Sequence, residues 1–369
     1  MSDWAQLAAR CGLLRDEPLA RFTAARLGGA ADWLYIAKGS TEELIAVVAA
    51  AWAAEIPVRI LGGGANVLIS DRGVRGLVVI NDISTAAFEG ETVTVSGGMA
   101  LTVLARRCAA RGLAGFEWAA SVPGTVGGAV VNNAGAHGGD MAGSVREVTV
   151  VSPITLALSS ESSLHPLPLS PENSPHPPPL SPWERGEKHV SPSHISHEQH
   201  SVEQPAEDSD LSSPLSQGER GAGGVRASVL TPADLAYGYR TSSLKARADK
   251  RFLVTGAVLA LRPDDPAAIQ TRMDAFIAHR KRTQPPGASL GSIFKNPAGD
   301  YAGRLIESCG LKGFQIGGAQ VSPVHANFFI NTGSATASDY SALIDHVQAI
   351  VYTKTGVHLE IEIERIGEW

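Results

Sequence analysis

Three consecutive glycines lie between two short apolar segments in Val58-Arg59-Ile60-Leu61-Gly62-Gly63-Gly64-Ala65-Asn66-Val67-Leu68-Ile69. The flanking segments are predicted strands, because they are short and apolar. The glycines allow the backbone to approach a ligand closely with its N–H groups pointing outward, which suits a phosphate or pyrophosphate. No Gly-Lys-Ser/Thr follows, as a P-loop requires, and the spacing is not that of a dinucleotide-binding Gly-x-Gly-x-x-Gly. Taken alone, a plain tight turn explains the cluster equally well.

Small residues are concentrated again in Ser121-Val122-Pro123-Gly124-Thr125-Val126-Gly127-Gly128-Ala129 and, directly after it, in Asn132-Asn133-Ala134-Gly135-Ala136. Residues packed this densely suit a flat ring that lies on the backbone. The alternative is a collar of turns around the start of a buried helix.

Size and charge exclude several classes of function. The chain has 369 residues, 44% of them hydrophobic, which is enough for two or three domains with cores of their own. A formal net charge of −6 gives no indication of a nucleic-acid partner, although a locally basic pocket can still bind a phosphorylated ligand. The three cysteines are far apart and include no Cys-x-x-Cys pair, so neither a metal site nor a disulfide framework is predicted. Their sparse, odd number fits a reducing cytoplasm.

Neither a signal peptide nor a membrane segment is predicted. Residues 1–6 lack the basic and apolar regions that begin a signal peptide. The most apolar stretch, Leu44–Ala54, is too short to span a bilayer and is interpreted as an amphipathic or buried helix. These features predict a cytoplasmic protein with no membrane partner.

The order of the predicted elements indicates a mixed α+β chain. Periodicity and capping residues predict helices and strands along most of its length. The principal helices are predicted at about 41–56, 100–111, 266–282, 302–309 and 337–352, and the strands at about 58–61, 67–69, 77–80, 92–95, 146–151, 252–261, 327–331 and 357–366.

From about Ile154 to Gly224 the composition changes abruptly. About half of the chain's 22 prolines lie here, with much Ser, His and Glu, and the segment contains the near-repeat Pro179–Gly186 and Pro214–Gly221. Such a composition does not bury enough apolar surface to offset the entropy lost on ordering. We therefore expect a disordered insertion at the tip of a hairpin. Its histidines at 194, 197 and 200 suit a metal only if the segment becomes helical, which the Ser and Pro content disfavours.

Three polar motifs follow the glycine clusters. Tyr239-Arg240 offers a planar guanidinium that can bind a carboxylate, although an arginine beside an aromatic residue is often only a surface charge. Gly291-Ser292-Ile293-Phe294-Lys295-Asn296-Pro297 combines a possible proton donor, Ser292, with Lys295 and Asn296, which can hold phosphate oxygens. Glu360-Ile361-Glu362-Ile363-Glu364 alternates strictly, which predicts a strand with all three carboxylates on one face; a solvated edge is the plainer interpretation.

Together these motifs resemble those of the UDP-N-acetylenolpyruvoylglucosamine reductase family, within the vanillyl-alcohol-oxidase-like FAD-binding fold. The resemblance covers nearly all of the chain outside the insertion, and the motifs occur in the family's order. Besides the motifs already quoted, it rests on Leu311-Lys312-Gly313, Gly317-Gly318-Ala319 and His325-Ala326-Asn327-Phe328. The short spacing from Arg240 to Ser292 is similar to that of the compact class, which lacks a tyrosine-bearing loop over the substrate.

The resemblance implies an α+β fold with a two-part FAD-binding domain and a smaller α+β substrate-binding domain. The expected boundaries are residues 1–82, residues 83–264 with the insertion at about 154–224, and residues 265–369. It implies non-covalent FAD, since no histidyl or cysteinyl attachment motif of the family type lies near the glycine clusters, and NADPH as the reductant. The residues expected to bind the cofactor are Gly62, Gly63, Gly64, Ala65, Asn66, Pro123, Gly124, Thr125, Gly127, Gly128, Asn133, Ala134 and Gly135.

For catalysis, the resemblance implies reduction of the enolpyruvyl ether of UDP-N-acetylglucosamine to UDP-N-acetylmuramic acid, a step of peptidoglycan synthesis. NADPH reduces the flavin, and the flavin then passes a hydride to the enol-ether carbon. Ser292 is implied as the proton donor, Arg240 as the cation that stabilises the enolate-like state, and Glu362 as the third catalytic residue. Tyr239, Lys295 and Asn296 are implied as substrate-binding residues.

Two points stay open from the sequence. Glu364 stands where the family usually has arginine, so Glu360 and Glu364 are alternatives to Glu362. Another flavin oxidase of the same fold, or a decayed copy broken by the insertion, is the alternative function. An oxidase shares the glycine clusters but need not have the motif at 291–297 or the terminal glutamate.

Overall fold

A computed structural model describes residues 3–154, 220–221 and 224–369. Its first unit contains α1 (Asp3–Arg10), β1 (Leu14–Pro18), β2 (Ala30–Ala37), α2 (Thr41–Ala53), β3 (Val58–Leu61), β4 (Val67–Ile69) and β5 (Val74–Asn81). The strands form a sheet in the order β1-β2-β5-β3, in which β5 runs parallel to both neighbours. Leu77 and Val79 of β5 pack with α2, whereas Val78 and Ile80 belong to a core on the opposite face. Burial on both faces explains why this strand reads as an almost continuous apolar run.

The second unit is built on a six-stranded antiparallel sheet. Its elements are β6 (Ala86–Glu89), β7 (Thr92–Ser96), α3 (Leu101–Ala109), β8 (Leu113–Ala114), α4 (Val126–Asn132), β9 (Gly135–Ala136), β10 (Gly139–Asp140), β11 (Val145–Pro153), β12 (Arg220–Gly221), β13 (Val225–Leu230), α5 (Pro232–Leu235), α6 (Ser243–Ala246), β14 (Leu253–Ala260), β15 (Arg262–Pro263) and α7 (Pro266–Thr283). The sheet order is β12-β13-β11-β14-β7-β6.

Helix α7 follows the expected domain boundary at 265 but packs on the second unit. Ile269 and Met273 belong to the same apolar core as α3 and α4. On the polar side, Arg272 donates two hydrogen bonds to the buried Glu117, at 3.0 and 2.7 Å, and so ties the helix to a 3₁₀ turn at residues 117–121. The second glycine cluster begins at the end of that turn, so α7 and the cluster are held together.

The predicted insertion begins and ends between two paired strands. β11 and β13 are antiparallel, and their register continues to Pro153 opposite Val225. The Ile154 amide then donates a 2.7 Å hydrogen bond to the Gly224 carbonyl. The expected disorder of residues 154–224 falls almost entirely outside the described residues.

The third unit contains β16 (Ala288–Ser292), α8 (Ala302–Ser308), β17 (Gln315–Ile316), β18 (Ala319–Val321), β19 (Phe328–Asn331), α9 (Ala337–Thr355) and β20 (Glu364–Ile366). Its sheet has the order β16-β19-β18-β17, with α8 and α9 in its core. β20 leaves this unit and pairs in parallel with β4 of the first. Of the strand predicted at about 357–366, only the last three residues, Glu364–Ile366, form a strand in the structure. The helices and sheets confirm the predicted α+β class, and among the described residues no helix has the length and hydropathy to cross a membrane.

Candidate active site

A cavity of about 620 Å³ is lined by residues from all three units. We call it the central cavity. It brings together the two glycine clusters, the Arg240 turn, the end of β16 and the segment before β20. Twelve of the thirteen residues expected to bind the cofactor line it, namely Gly62, Gly63, Gly64, Ala65, Asn66, Pro123, Gly124, Thr125, Gly127, Gly128, Ala134 and Gly135, and so do Arg240, Ser292 and Glu362.

The first glycine cluster packs closely against the second cluster and against the Phe22 main chain, and both contacts require glycine. A Cβ atom at Gly62 would lie 2.1 Å from the Thr125 hydroxyl oxygen, and one at Gly64 would lie 2.0 Å from the Phe22 carbonyl oxygen. Gly64 also has a φ of +59°, in the left-handed region. The clusters therefore form one continuous wall, with backbone atoms at the surface of the cavity.

Other glycines in this wall leave open space toward the cavity. Gly124 has a φ of +121°, and a Cβ built on it would meet no atom within 4 Å. At Gly128 the nearest atom would be Thr125 Oγ1, 3.7 Å away. Side chains at these positions would occupy the cavity itself, so the wall fits a flat group lying against the backbone.

Asn133 is the one expected cofactor residue that does not line the cavity. It ends α4 in a left-handed conformation, with a φ of 43°. Its buried side chain accepts a 3.0 Å hydrogen bond from the Ala142 amide and donates one, also 3.0 Å, to the Gly238 carbonyl. The residue therefore holds the turn that carries Arg240.

Arg240 points inward from that turn. The turn is closed by reciprocal backbone hydrogen bonds between Gly238 and Thr241, and Arg240 has a φ of 57°, which is costly for a residue with a side chain. Its Nη2 donates a 2.8 Å hydrogen bond to the Gly135 carbonyl, and its Nε lies 3.0 Å from Glu362 Oε1. The side chain is 24% exposed. Arg240 is thus an inward-facing cation, not a surface charge.

Ser292 reaches the cavity through a break in strand pairing. Ser289 is opposite Ile330 and Ser292 is opposite Phe328, so β16 contains one extra residue relative to β19. Gly291 supplies the left-handed φ of 75° within this bulge. A bulge turns the following side chain away from the regular alternation. Beyond it, Asn327 fixes the chain by bonding both the amide and the carbonyl of Phe294, at 2.9 and 2.8 Å.

The segment around Glu362 lies between the Ser292 strand and the first glycine cluster. The Glu362 amide donates a 2.8 Å hydrogen bond to the Ile293 carbonyl, and the Glu364 amide donates a 2.9 Å bond to the Asn66 carbonyl. In return, Asn66 Nδ2 donates to the Glu362 carbonyl at 3.3 Å. Residues distant in sequence are joined here by main-chain hydrogen bonds, which fix the Glu362 carboxylate beside Arg240.

Strict alternation predicts that the three glutamates share one face and one environment. In the structure their environments differ. Glu360 is 70% exposed and pairs with Lys295, whereas Glu362 is 15% exposed. Glu364 lies 3.7 Å from Arg59, which also lines the central cavity. Burial raises the pKa of the Glu362 carboxyl above its usual range, and Arg240, Lys245 and Lys295 act against this shift. A solvated edge is therefore the wrong interpretation for Glu362.

Three residues expected to bind substrate, Tyr239, Lys295 and Asn296, do not line the cavity. The Tyr239 ring lies 5.4 Å from the Arg240 guanidinium carbon. Asn296 accepts a 3.1 Å hydrogen bond from the Ala302 amide at the start of α8. Their substrate contacts stay predictions.

The central cavity is more basic than the chain as a whole. Its described lining contains six cationic side chains, Arg59, Arg240, Lys245, Lys250, Arg280 and Arg282, and two carboxylates, Glu362 and Glu364. The carboxylates lie beside Arg59 and Arg240. The other four cations have no carboxylate partner among the described residues. Such a concentration of positive charge favours polyanionic ligands in a protein whose formal net charge is −6.

Sequence reasoning missed these four cations. Lys245 follows Arg240 closely, and Arg280 and Arg282 lie in the last turn of α7. Basic residues near a helix C-terminus are common for electrostatic reasons alone, so the sequence held no signal that distinguishes a ligand-binding pair. The packing of α7 beside the second glycine cluster brings Arg280 and Arg282 to the cavity, and the contacts of α6 with α4 bring Lys245 there.

Comparisons with known proteins agree with this arrangement. Residues 34–154 match an FAD-binding domain, and residues 283–366 match the C-terminal domain of UDP-N-acetylenolpyruvoylglucosamine reductase. UDP-N-acetylenolpyruvoylglucosamine reductase 2 of Symbiobacterium thermophilum is 38% identical over 358 residues, covering 96% of this chain and 92% of that protein. The Levilactobacillus brevis reductase is 35% identical, covering 100% and 97%.

A solved structure gives the same result. The crystal structure of UDP-N-acetylenolpyruvylglucosamine reductase from Thermus caldophilus superposes with a TM-score of 0.65 at 28% identity, covering 96% of this chain and 98% of that one. Sequence and fold therefore agree over nearly the full length, and the chain belongs to the UDP-N-acetylenolpyruvoylglucosamine reductase family.

Proposed function

We propose that this protein catalyses the NADPH-dependent reduction of UDP-N-acetyl-enolpyruvoylglucosamine to UDP-N-acetylmuramate, with non-covalently bound FAD. The observation that carries the proposal is the convergence of Arg240, Ser292 and Glu362 on a cavity walled by both glycine clusters. Family membership supports the reaction, and the chemistry of the cavity supports the individual roles.

The glycine wall fits FAD. The open space over Gly124 and Gly128 accommodates a planar ring, and the adjoining loop at 62–64 presents backbone to a pyrophosphate. When bound, FAD supplies hydride transfer from NADPH to the terminal carbon of the enolpyruvyl group. We propose that the lining residues of both clusters hold it, with Asn133 acting indirectly through the Arg240 turn.

Arg240 and Ser292 suit the second half of the reaction. Hydride addition to the enolpyruvyl group leaves negative charge that spreads into the substrate carboxylate. A fixed guanidinium stabilises such a charge most strongly where water is excluded, and Arg240 is held by Gly135 and Glu362 before any ligand binds. The Ser292 hydroxyl, placed at the cavity by the bulge, is the group we propose to deliver the proton to the neighbouring carbon.

Two of the remaining cations, Arg280 and Arg282, suit the phosphates of the ligands. Burial lowers the pKa of the Arg280 guanidinium, since a charged group loses hydration there. A diphosphate would restore the lost interactions through the planar, multi-donor geometry of arginine. We propose Arg280 and Arg282 as diphosphate ligands, together with the predicted substrate contacts of Tyr239, Lys295 and Asn296.

Two further parts of the proposal concern organisation and location. We propose that residues 1–82 and 83–264 act as the two parts of the FAD-binding domain and residues 265–369 as the substrate-binding domain, with α7 at the start of the last range packed on the second unit. All three cysteines are free thiols, a state that fits the cytoplasm proposed for the reaction.

The test is single-turnover spectroscopy of the purified protein. We expect a yellow protein that releases FAD on acid precipitation, loses flavin absorbance with NADPH, and regains it anaerobically on addition of the enolpyruvyl substrate. NADPH consumed should equal substrate added. Flavin retained in the acid precipitate contradicts non-covalent binding. Reoxidation by oxygen but not by the substrate contradicts the reductase function and favours an oxidase, and a protein that binds no FAD favours a decayed copy.

A further inference from the structure

Lys245 is a half-buried lysine that the proposed reaction does not use. It lies in the short helix α6, on the wall of the central cavity. Its Nζ is 3.1 Å from the Arg240 carbonyl oxygen and 3.5 Å from the Glu362 carbonyl oxygen. One ammonium group therefore contacts the main chain of both residues that form the ion pair.

The backbone of Lys245 is also fixed by hydrogen bonds. The buried Ser242 accepts a 3.1 Å hydrogen bond from the Lys245 amide and donates one of 2.6 Å to the Val131 carbonyl in α4. α6 is thus attached to α4, whose first residues belong to the second glycine cluster. The side chain extends from this fixed base toward the ion pair.

Placing an ammonium group here has a cost. Burial lowers the pKa of Lys245, and the neighbouring Lys295 and Lys250 act in the same direction, while Glu362 and Glu364 oppose the shift. Burying a charge destabilises a fold unless the charge makes compensating contacts. Within the described part of the chain, the hydrogen bonds of the Lys245 ammonium group are those to the two carbonyl oxygens.

Both of those carbonyls belong to backbone that needs support. Arg240 has a left-handed φ of 57°, which surrounding contacts must stabilise. Among the described residues, the donors to the Glu362 carbonyl are both side chains, Lys245 at 3.5 Å and Asn66 at 3.3 Å. Lys245 contacts the main chain of both segments directly, whereas the ion pair joins them only through side chains.

We propose that Lys245 is a positioning residue, which fixes the main chain of Arg240 and of Glu362 relative to one another and thereby sets their ion pair for protonation of the substrate. The inference deepens the proposed function and rests on it for the reaction concerned. It differs from a role as a substrate ligand, which the lining position also allows, because it acts through carbonyl oxygens of the protein.

The experiment compares Lys245→Met and Lys245→Arg with a matched control, Lys354→Met. Lys354 also donates its ammonium group to a main-chain carbonyl, that of Cys309, at 3.0 Å, but near the end of α9. It is absent from the described lining of the cavity. All proteins are used as full-length holoenzymes, and wild-type turnover is measured first, so that a failure of the proposed function is recognised before the variants are interpreted.

For Lys245→Met we expect reoxidation by the enolpyruvyl substrate to slow roughly 10- to 100-fold, the scale for losing a charge-assisted hydrogen bond. Reduction by NADPH and the affinity for the UDP-N-acetylmuramate product should each change less than about threefold. Lys245→Arg keeps a cationic donor and should recover at least about tenfold of the lost rate. A loss confined to KM or to product affinity, equal slowing of both half-reactions, or equal rates for the Arg and Met variants overturns the proposal.

A second readout needs no substrate. Amide hydrogen exchange in peptides covering 238–242 and 360–364 should be faster in Lys245→Met than in wild type, and unchanged in Lys354→Met, because the two hydrogen bonds of the Lys245 ammonium group stabilise both main-chain segments. Unchanged exchange in both peptides overturns the proposal even if turnover fails for another reason. If the Met variant does not retain FAD, the Arg variant decides: rapid exchange with full activity overturns the proposal, and near wild-type exchange with recovered activity supports it.

Discussion

Glu360 and Glu362 are two residues apart and have opposite surroundings, which makes them a matched pair for mutation. Glu362→Gln removes the charge beside Arg240, while Glu360→Gln affects an exposed ion pair with Lys295. We expect substrate-driven flavin reoxidation to slow by roughly 100-fold or more in the first variant, the scale for loss of a catalytic group, and to change little in the second. Stopped-flow absorbance measures both. If Glu360→Gln or Glu364→Gln is the damaging change, the assignment of the catalytic glutamate is wrong.

Ser292→Ala should separate the two halves of the reaction. The hydroxyl is proposed to deliver a proton to the substrate, so reduction by NADPH does not require it. We expect the first half-reaction to be unchanged and the second to slow by roughly 100-fold or more. Ser289→Ala, on the other side of the same bulge, is the control. Equal slowing of both half-reactions by Ser292→Ala would remove the basis for the proton-donor role.

Among the elements, helix α9 depends on a residue from another unit. The Asp71 carboxylate, in the loop after β4, accepts hydrogen bonds from the Ala337 and Ser338 amides, both at 2.8 Å, and from the Ser338 hydroxyl at 2.7 Å. Thr336 accepts from the Asp339 amide, so the cap is shared between a local residue and a distant one. This link joins the first unit to the third.

We therefore expect Asp71→Ala to destabilise the protein by about 1–2 kcal/mol, since two helix amides lose their acceptor. The corresponding fall in Tm is roughly 1–3 °C for a protein of this size, measured by circular dichroism with saturating FAD. Ser338→Ala removes only the hydroxyl contact and should have a smaller effect. Equal Tm values for the two variants would show that the amide contacts contribute nothing measurable.

The elements also show how far sequence reasoning reaches. Glycine clusters and helix caps are local signals, because a glycine run permits close backbone approaches wherever it occurs, and twelve of the thirteen cofactor residues that the clusters indicated line the cavity. The alternation at 360–364 predicted a single strand, yet the segment bonds first to Ile293 and then to Asn66. Pairing partners are set by the tertiary fold, so a local pattern does not contain them. Lys245 and Arg280 were missed because their burial depends on packing.

For the whole molecule, the insertion at 154–224 is predicted to be dispensable. Replacing Ile154–Gly224 with a short Asp-Gly turn keeps the strands on either side, although it removes β12 at the sheet edge. Lengthening a turn of about four residues to about seventy costs roughly 2.5 kcal/mol in loop-closure entropy, less than the usual stability of about 5–15 kcal/mol. Flavin content and the rate of substrate-driven reoxidation should stay within about twofold of wild type. A variant that folds and binds FAD but no longer turns over would contradict this prediction.

The hydrogen bond from Asn66 to the Glu362 carbonyl joins residues 296 positions apart, and it has a kinetic consequence. Contacts between distant parts of a chain form late in folding, because their closure entropy must be overcome before they stabilise anything. Gly62 and Thr125 are much closer in sequence, so the glycine wall is expected to assemble earlier. During refolding, an intermediate should therefore bind the cofactor before it acquires catalytic competence. The insertion lies within the longer span and not the shorter one, so any delay it causes should fall on the last step alone.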